Sequence, residues 1–130
     1  MKEFFKSPFF SYLVFIFLAC SGALLWQFCF PQLAVYSAWG IAVGWQREIA
    51  LWNIALIAAI LYAFIQGKTN WAKPLTFQST ILCWALGLNH LYACLANLPA
   101  FYPLHVLGIL EVMFAGGLWG TALLIRHKNM

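Results

Sequence analysis

Four ionisable residues and two asparagines stand inside runs that are otherwise mostly apolar. Arg47 and Glu48 lie in "GWQREIALWN" (44–53), which ends on Asn53; Asn89 and His90 close "GLNH" (87–90); Glu111 interrupts "GILEVM" (108–113). A carboxyl and an imidazole at one depth suit three kinds of chemistry: relaying a proton, holding a small polar or anionic ligand with Arg47 at the rim, or ligating a metal. Metal ligation has the least support, because no H-x-x-x-H or E-x-x-H pair puts two donors on one helical face. The four cysteines, Cys20, Cys29, Cys83 and Cys94, form no C-x-x-C motif and give no thioredoxin-like redox centre. No nucleotide loop or hydrolase triad order is present, and "AGGLWG" (115–120) is a packing surface in apolar context.

The elements that must carry these residues follow from composition. Of 130 residues, 65% are hydrophobic and 8% charged, with seven Trp and twelve Phe. A water-facing domain carries roughly 25% charged residues, so residues 1–130 read as a single integral membrane domain. The net charge of +4 is spread over the flanks of apolar runs. A nucleic-acid binder gathers its basic residues on one face, so no nucleic-acid partner is expected.

Four segments reach the ~20 residues that a helix needs to cross ~30 Å of hydrocarbon: spans 1 to 4, at about 8–30, 45–66, 74–97 and 103–125. Each must be helical, because every backbone polar group in lipid is satisfied within its own segment. The alternating pattern of a barrel strand is absent. Connections of about seven residues between spans 2 and 3, and about five between spans 3 and 4, make consecutive helices antiparallel neighbours. The expected fold is an all-α membrane protein, four transmembrane helices in an up-down-up-down bundle. "LAVYSAWGIAVG" (33–44) is too short to span and reads as an interfacial or re-entrant piece after span 1. "FLACSG" (17–22) faintly resembles a lipoprotein cleavage site, but the apolar run continues to Phe30, so an uncleaved first helix is expected.

Lys2 and Lys6, Lys68 and Lys73, and Arg126 and Lys128 fall on one side of the four spans, leaving Arg47 alone on the other. By the positive-inside tendency, the first side is cytoplasmic and holds both termini. The location expected is the inner membrane of a bacterial cell.

At 1.5 Å per residue, Asn53, Asn89, His90 and Glu111 share a level roughly 10–12 Å below the outer ends of their spans, with Arg47, Glu48 and His105 above. Helical stripes run through Ser79, Cys83, Gly87, His90 and Cys94 on span 3, and through Gly108, Glu111, Ala115, Trp119 and Ala122 on span 4. On span 2, Glu48 aligns with Trp52 and Ala55, while Gln46 and Asn53 take an adjacent face. The expected site is an outer-facing polar pocket with Glu48 as upper wall, His90 and Glu111 as floor, and Arg47 as rim. Trp39, Trp45, Trp52, Tyr92, Phe101 and Tyr102 would line an amphipathic mouth. Asn53 and Asn89 suit hydrogen bonds between helices. An acid at this depth must be paired, protonated or wet. Gly116, Gly117 and Gly120 form a second small surface, suited to a homo-oligomer or a membrane partner.

"GWQREIALWN", with Glu48, and "GLNH", with Gly87 and His90, resemble elements of small four-helix bacterial inner-membrane proteins of unknown function, over residues 44–97. That resemblance implies the fold and a shared Glu/His feature, and it supplies no reaction. Small four-helix drug exporters resemble the chain in size, but they carry their acid in the first helix, where this chain has Gln27. The reading is a multi-pass protein that binds a small ligand or protons, or locks its helices. Metal- or cofactor-dependent catalysis and small proton-coupled transport are the alternatives, and no cofactor is specified.

Overall fold

The computed structural model describes residues 2–67 and 69–129, without the side chains of Lys2 and Glu3; Lys68 lies outside the described residues. A short helix α1 (Lys2–Phe5) precedes α2 (Phe10–Cys29), the first span. A 3₁₀ turn over Pro31–Tyr36 opens the linker to α3 (Val43–Gln66), the second span. Another 3₁₀ turn (Thr69–Trp71) leads into α4 (Ala72–Ala96), the third. The fourth span, Pro103–Arg126, is α-helical as α5 (Pro103–Gly108), winds as a π-helix over Ile109–Leu118, and is α-helical again as α6 (Trp119–Arg126). These are four helices long and apolar enough to cross a membrane, and they form an all-α four-helix bundle.

The element boundaries have local causes. Pro103 opens the fourth span at N1, where its missing N–H is no loss. Gly67 stops α3 in the left-handed region (φ +61°), its N–H bonded to Ala63 O, as a C-terminal glycine cap does. Pro74 stands in the first turn of α4, whose N-terminal N–H groups have no helical partner.

The spans associate as two hairpins. Spans 1 and 2 meet through Phe4, Phe10 and Phe64 at one end, with ring centroids 5.4–6.1 Å apart. At the other end, Gln46 Nε2 donates to Pro31 O at 2.9 Å. Spans 3 and 4 meet through glycine: a Cβ on Gly116 would strike Cys83, one on Gly117 would meet the Trp84 ring at 3.2 Å, and one on Gly120 would strike Thr80 and Tyr12. Trp84 Nε1 donates to Thr121 Oγ1 at 2.9 Å, and Thr121 donates on to Gly117 O at 2.8 Å. Span 1 joins the two hairpins. Thr80 Oγ1 donates to Thr76 O (2.7 Å), so at 3.2 Å the Tyr12 hydroxyl is the donor to Thr80. Tyr12 also sets its ring edge-on to Trp119, 5.5 Å away. The core gathers here, with Tyr12, Leu13 and Ile60 fully buried.

Two expectations are corrected. Gly116, Gly117 and Gly120 are covered by the chain's own Cys83, Trp84, Thr80 and Tyr12, so that small surface is filled from within. The inner face of span 4 is not the stripe through Glu111, Ala115 and Ala122. Gly108, Gly116, Gly117 and Gly120 are buried with Val112 packed beside them, while Glu111, Trp119 and Ala122 are exposed. The π-winding explains the difference, because i→i+5 turns advance the face more slowly than the 3.6-residue period assumes.

Candidate functional site

The polar centre of the molecule is a histidine pair under the linker. His105, in the first turn of the fourth span, is fully buried. Its Nδ1 lies 3.0 Å from His90 Nδ1 on span 3. Its Nε2 accepts the Ala38 N–H at 2.9 Å. Trp39 covers both rings, 4.4 Å from His105 at 69° and 5.0 Å from His90 at 40°. Tyr102 adds an edge contact to His105 at 6.0 Å. Gly108 makes the room: a Cβ there would fall 2.6 Å from the His90 ring.

These contacts fix the tautomers. Because Nε2 of His105 accepts, a neutral His105 carries its proton on Nδ1 and donates to His90. His90 must then accept at Nδ1 and carry its own proton on Nε2. The result is a directed chain from the linker backbone through both imidazoles.

The linker is shaped to reach this pair. Ser37 is buried, and both its N–H (3.0 Å) and its hydroxyl (2.8 Å) donate to Ala34 O. Gly40, at φ +67°, then turns the chain back, a conformation glycine adopts without steric cost. Gln46 closes the loop. It donates to Pro31 O at the start and accepts Ala42 N–H (3.2 Å) at the end, and only 6% of its surface is exposed. In the run Gln46–Arg47–Glu48, Gln46 is therefore the inward member.

Of the expected site residues, His90 stands in this centre and the others lie outside it. Arg47 and Glu48 are exposed, on the side of span 2 away from its buried positions Gln46 and Ala50. Asn53 is half-buried in line with Ala50 and Leu56, and Asn89 is exposed. Glu111 is exposed, within electrostatic reach of Cys20 and Cys83. Its expected level holds to within a turn, since Gly108 faces His90 and Met113 faces Gly87. Its side chain is exposed, however, and His90 Nδ1 is engaged by His105. The pocket with Glu48 as wall and Glu111 as floor is thus not assembled by these side chains. Among the described residues, no three His, Cys, Asp or Glu come together as a metal-ligand set. All four cysteines are free.

His105, Trp39, Ala38 and Gln46 are the participants that helix depth alone does not identify. The available signal was a histidine in the first turn after Pro103 and a tryptophan before a turn glycine, both at the outer level. Compared with known proteins, the chain matches no family model, no curated protein and no solved structure.

Proposed function

We propose that the chain crosses a bacterial inner membrane four times, up-down-up-down with both termini cytoplasmic, and acts as a proton-responsive binding element rather than an enzyme. The topology rests on the basic residues flanking spans 1, 3 and 4 against Arg47 alone at the opposite end. Arg47 and Glu48, exposed at the outer end of span 2, then serve as headgroup anchors. The functional element is the latch formed by His90, His105 and Trp39 over the outer end.

The observation that carries this reading is the pair of imidazole acceptors. A proton added to His105 takes Nε2, which holds Ala38; one added to His90 takes Nδ1, which holds His105. Either event turns an acceptor into a donor facing a donor. The groups around the pair are the Trp39 indole, the Tyr102 phenol and the Ala38 amide. Among the described residues, no carboxylate is in contact to compensate an imidazolium. The linker is consequently held down by neutral rings and released by protonated ones.

The test is the emission of Trp39, isolated as the difference between wild type and Trp39→Phe, in nanodiscs taken from pH about 8 to about 4, because burial disfavours the charged imidazole. The expected result is a change in the Trp39 emission as its ring contacts with His90 and His105 are lost, already present at high pH in His105→Ala. An emission that ignores both pH and the His105 substitution refutes the latch.

A further inference from the structure

The linker that bears the latch has an outward face of its own. No Asp, Glu, Lys or Arg stands between Lys6 and Arg47, so the whole linker is uncharged. Its 3₁₀ turn packs on spans 1 and 4 and buries Ala34, and Ser37 beyond it. Val35, Tyr36, Trp39 and Ile41 are left 53–60% exposed. The same apolar surface continues onto Phe28 near the end of span 1 and Trp45 near the start of span 2, both exposed on the spans themselves. A loop that faces water carries polar side chains and can leave its amides to the solvent. Here the protein takes up the amides. Leu33 N–H donates to Phe30 O (3.1 Å), Ser37 to Ala34 O (3.0 Å), Ala38 to His105 Nε2 (2.9 Å) and Ala42 to Gln46 Oε1 (3.2 Å).

We infer that residues 31–44 are seated in the headgroup layer of the leaflet at this end of the bundle, with lipid as the partner of their exposed face. The partner follows from the chemistry of that face. Val35 and Ile41 suit the boundary with the acyl chains, and the Tyr36 phenol and Trp39 indole are amphipathic rings of the kind that collect at a membrane–water interface. The depth follows from the ties. Gln46 holds Pro31 and Ala42, near the two ends of the linker, beside Arg47, whose charge belongs at headgroup level. Ala38, in the middle, is held by His105 in the first turn of span 4. These bonds keep the linker across the end of the bundle and out of the hydrocarbon between the spans, which excludes a re-entrant path. Non-helical backbone is tolerated at that depth because these N–H groups are already bonded. The surface concerned is the linker's outward face in its resting position, whether or not the latch answers to protons.

The test is spin labelling of the full chain in phosphatidylcholine nanodiscs, at Val35→Cys and at Ile41→Cys, in a background carrying Cys29→Ser and Cys94→Ser. Both labelled positions are exposed, so a label there disturbs no packing, and the remaining Cys20 and Cys83 are buried. Collisions with oxygen, which concentrates in lipid, are compared with collisions with a neutral nickel chelate, which stays in water. Oxygen should dominate at both positions. Nickel should dominate at Asn70→Cys, in the exposed turn between spans 2 and 3. Nickel collisions at Val35→Cys and Ile41→Cys as frequent as those at Asn70→Cys overturn the inference, because the face then lies in water. Labels shielded from both reagents also overturn it, because a second copy of the chain then covers the face.

Discussion

The two hairpins of the bundle treat their glycines in opposite ways. In spans 1 and 2, Gly22 and Gly44 have nothing within 4 Å of where a Cβ would be. In spans 3 and 4, Gly87, Gly108, Gly116, Gly117 and Gly120 all face another side chain or backbone at contact distance or closer. The first hairpin is tied at its ends, by Gln46 on Pro31 and by Phe64 among Phe4 and Phe10. The second is closed along its length by small residues, then locked at the top by two histidines. In lipid, apolar side chains gain little by leaving the solvent for a neighbouring helix, so close backbone approach and hydrogen bonds must hold helices together. The second hairpin is built on that rule; the first relies on larger side chains instead, with Leu13, Ile16, Leu56 and Ile60 in the buried core.

Placing one residue in both hairpins breaks this comparison most sharply. Gly120→Leu drives a side chain into Thr80 and Tyr12 and should cost at least about 3 kcal/mol, the upper end of overpacking. The expected outcome is loss of the monodisperse species in detergent. Gly22→Leu, the same change at an open position of the first hairpin, should leave the elution profile and melting temperature unaltered. A smaller effect is expected from Gln46→Ala. It removes one donor and one acceptor that the linker backbone uses, at about 1–3 kcal/mol. Hydrogen exchange should accelerate at Ala42, while the amides of spans 3 and 4 keep their protection. The smallest concerns the outward residues: Glu48→Gln and Arg47→Gln should each stay within about 0.5 kcal/mol of wild type in thermal melts. A large loss at Glu48 would mean that an unseen partner covers it, and that the exposed face of the first hairpin is an interface.

The four spans are legible in the sequence because apolar length is a strong signal, and their ends follow Pro103, Gly67 and the charged flanks. The inward stripe on span 3 is legible for the same reason: Ser79, Cys83 and Gly87 follow a regular helical period and are buried. Span 4 is read on the wrong face because its middle is not an α-helix. A ten-residue π-helix moves Glu111 outward and Gly116 and Gly117 inward. The latch is only half legible. His90 stands out as an imidazole on a buried stripe, but its partner enters from the first turn of span 4. The lid enters from a linker whose path depends on Gly40 and on Gln46 closing the loop. Such long-range pairings leave no periodicity, and the adjacent charges at Arg47 and Glu48 draw notice away from Gln46.

The central claim is that the linker is held by a directed chain from Ala38 through His105 to His90. Nitrogen-15 spectra of histidine-labelled protein in nanodiscs at neutral pH test it most directly, with His127 assigned by substitution. The account predicts His105 protonated on Nδ1 alone, His90 protonated on Nε2 alone, and a coupling across the Nδ1–H···Nδ1 bond. A His105 ring found protonated on Nε2 has no lone pair to offer Ala38, and that result would contradict the account.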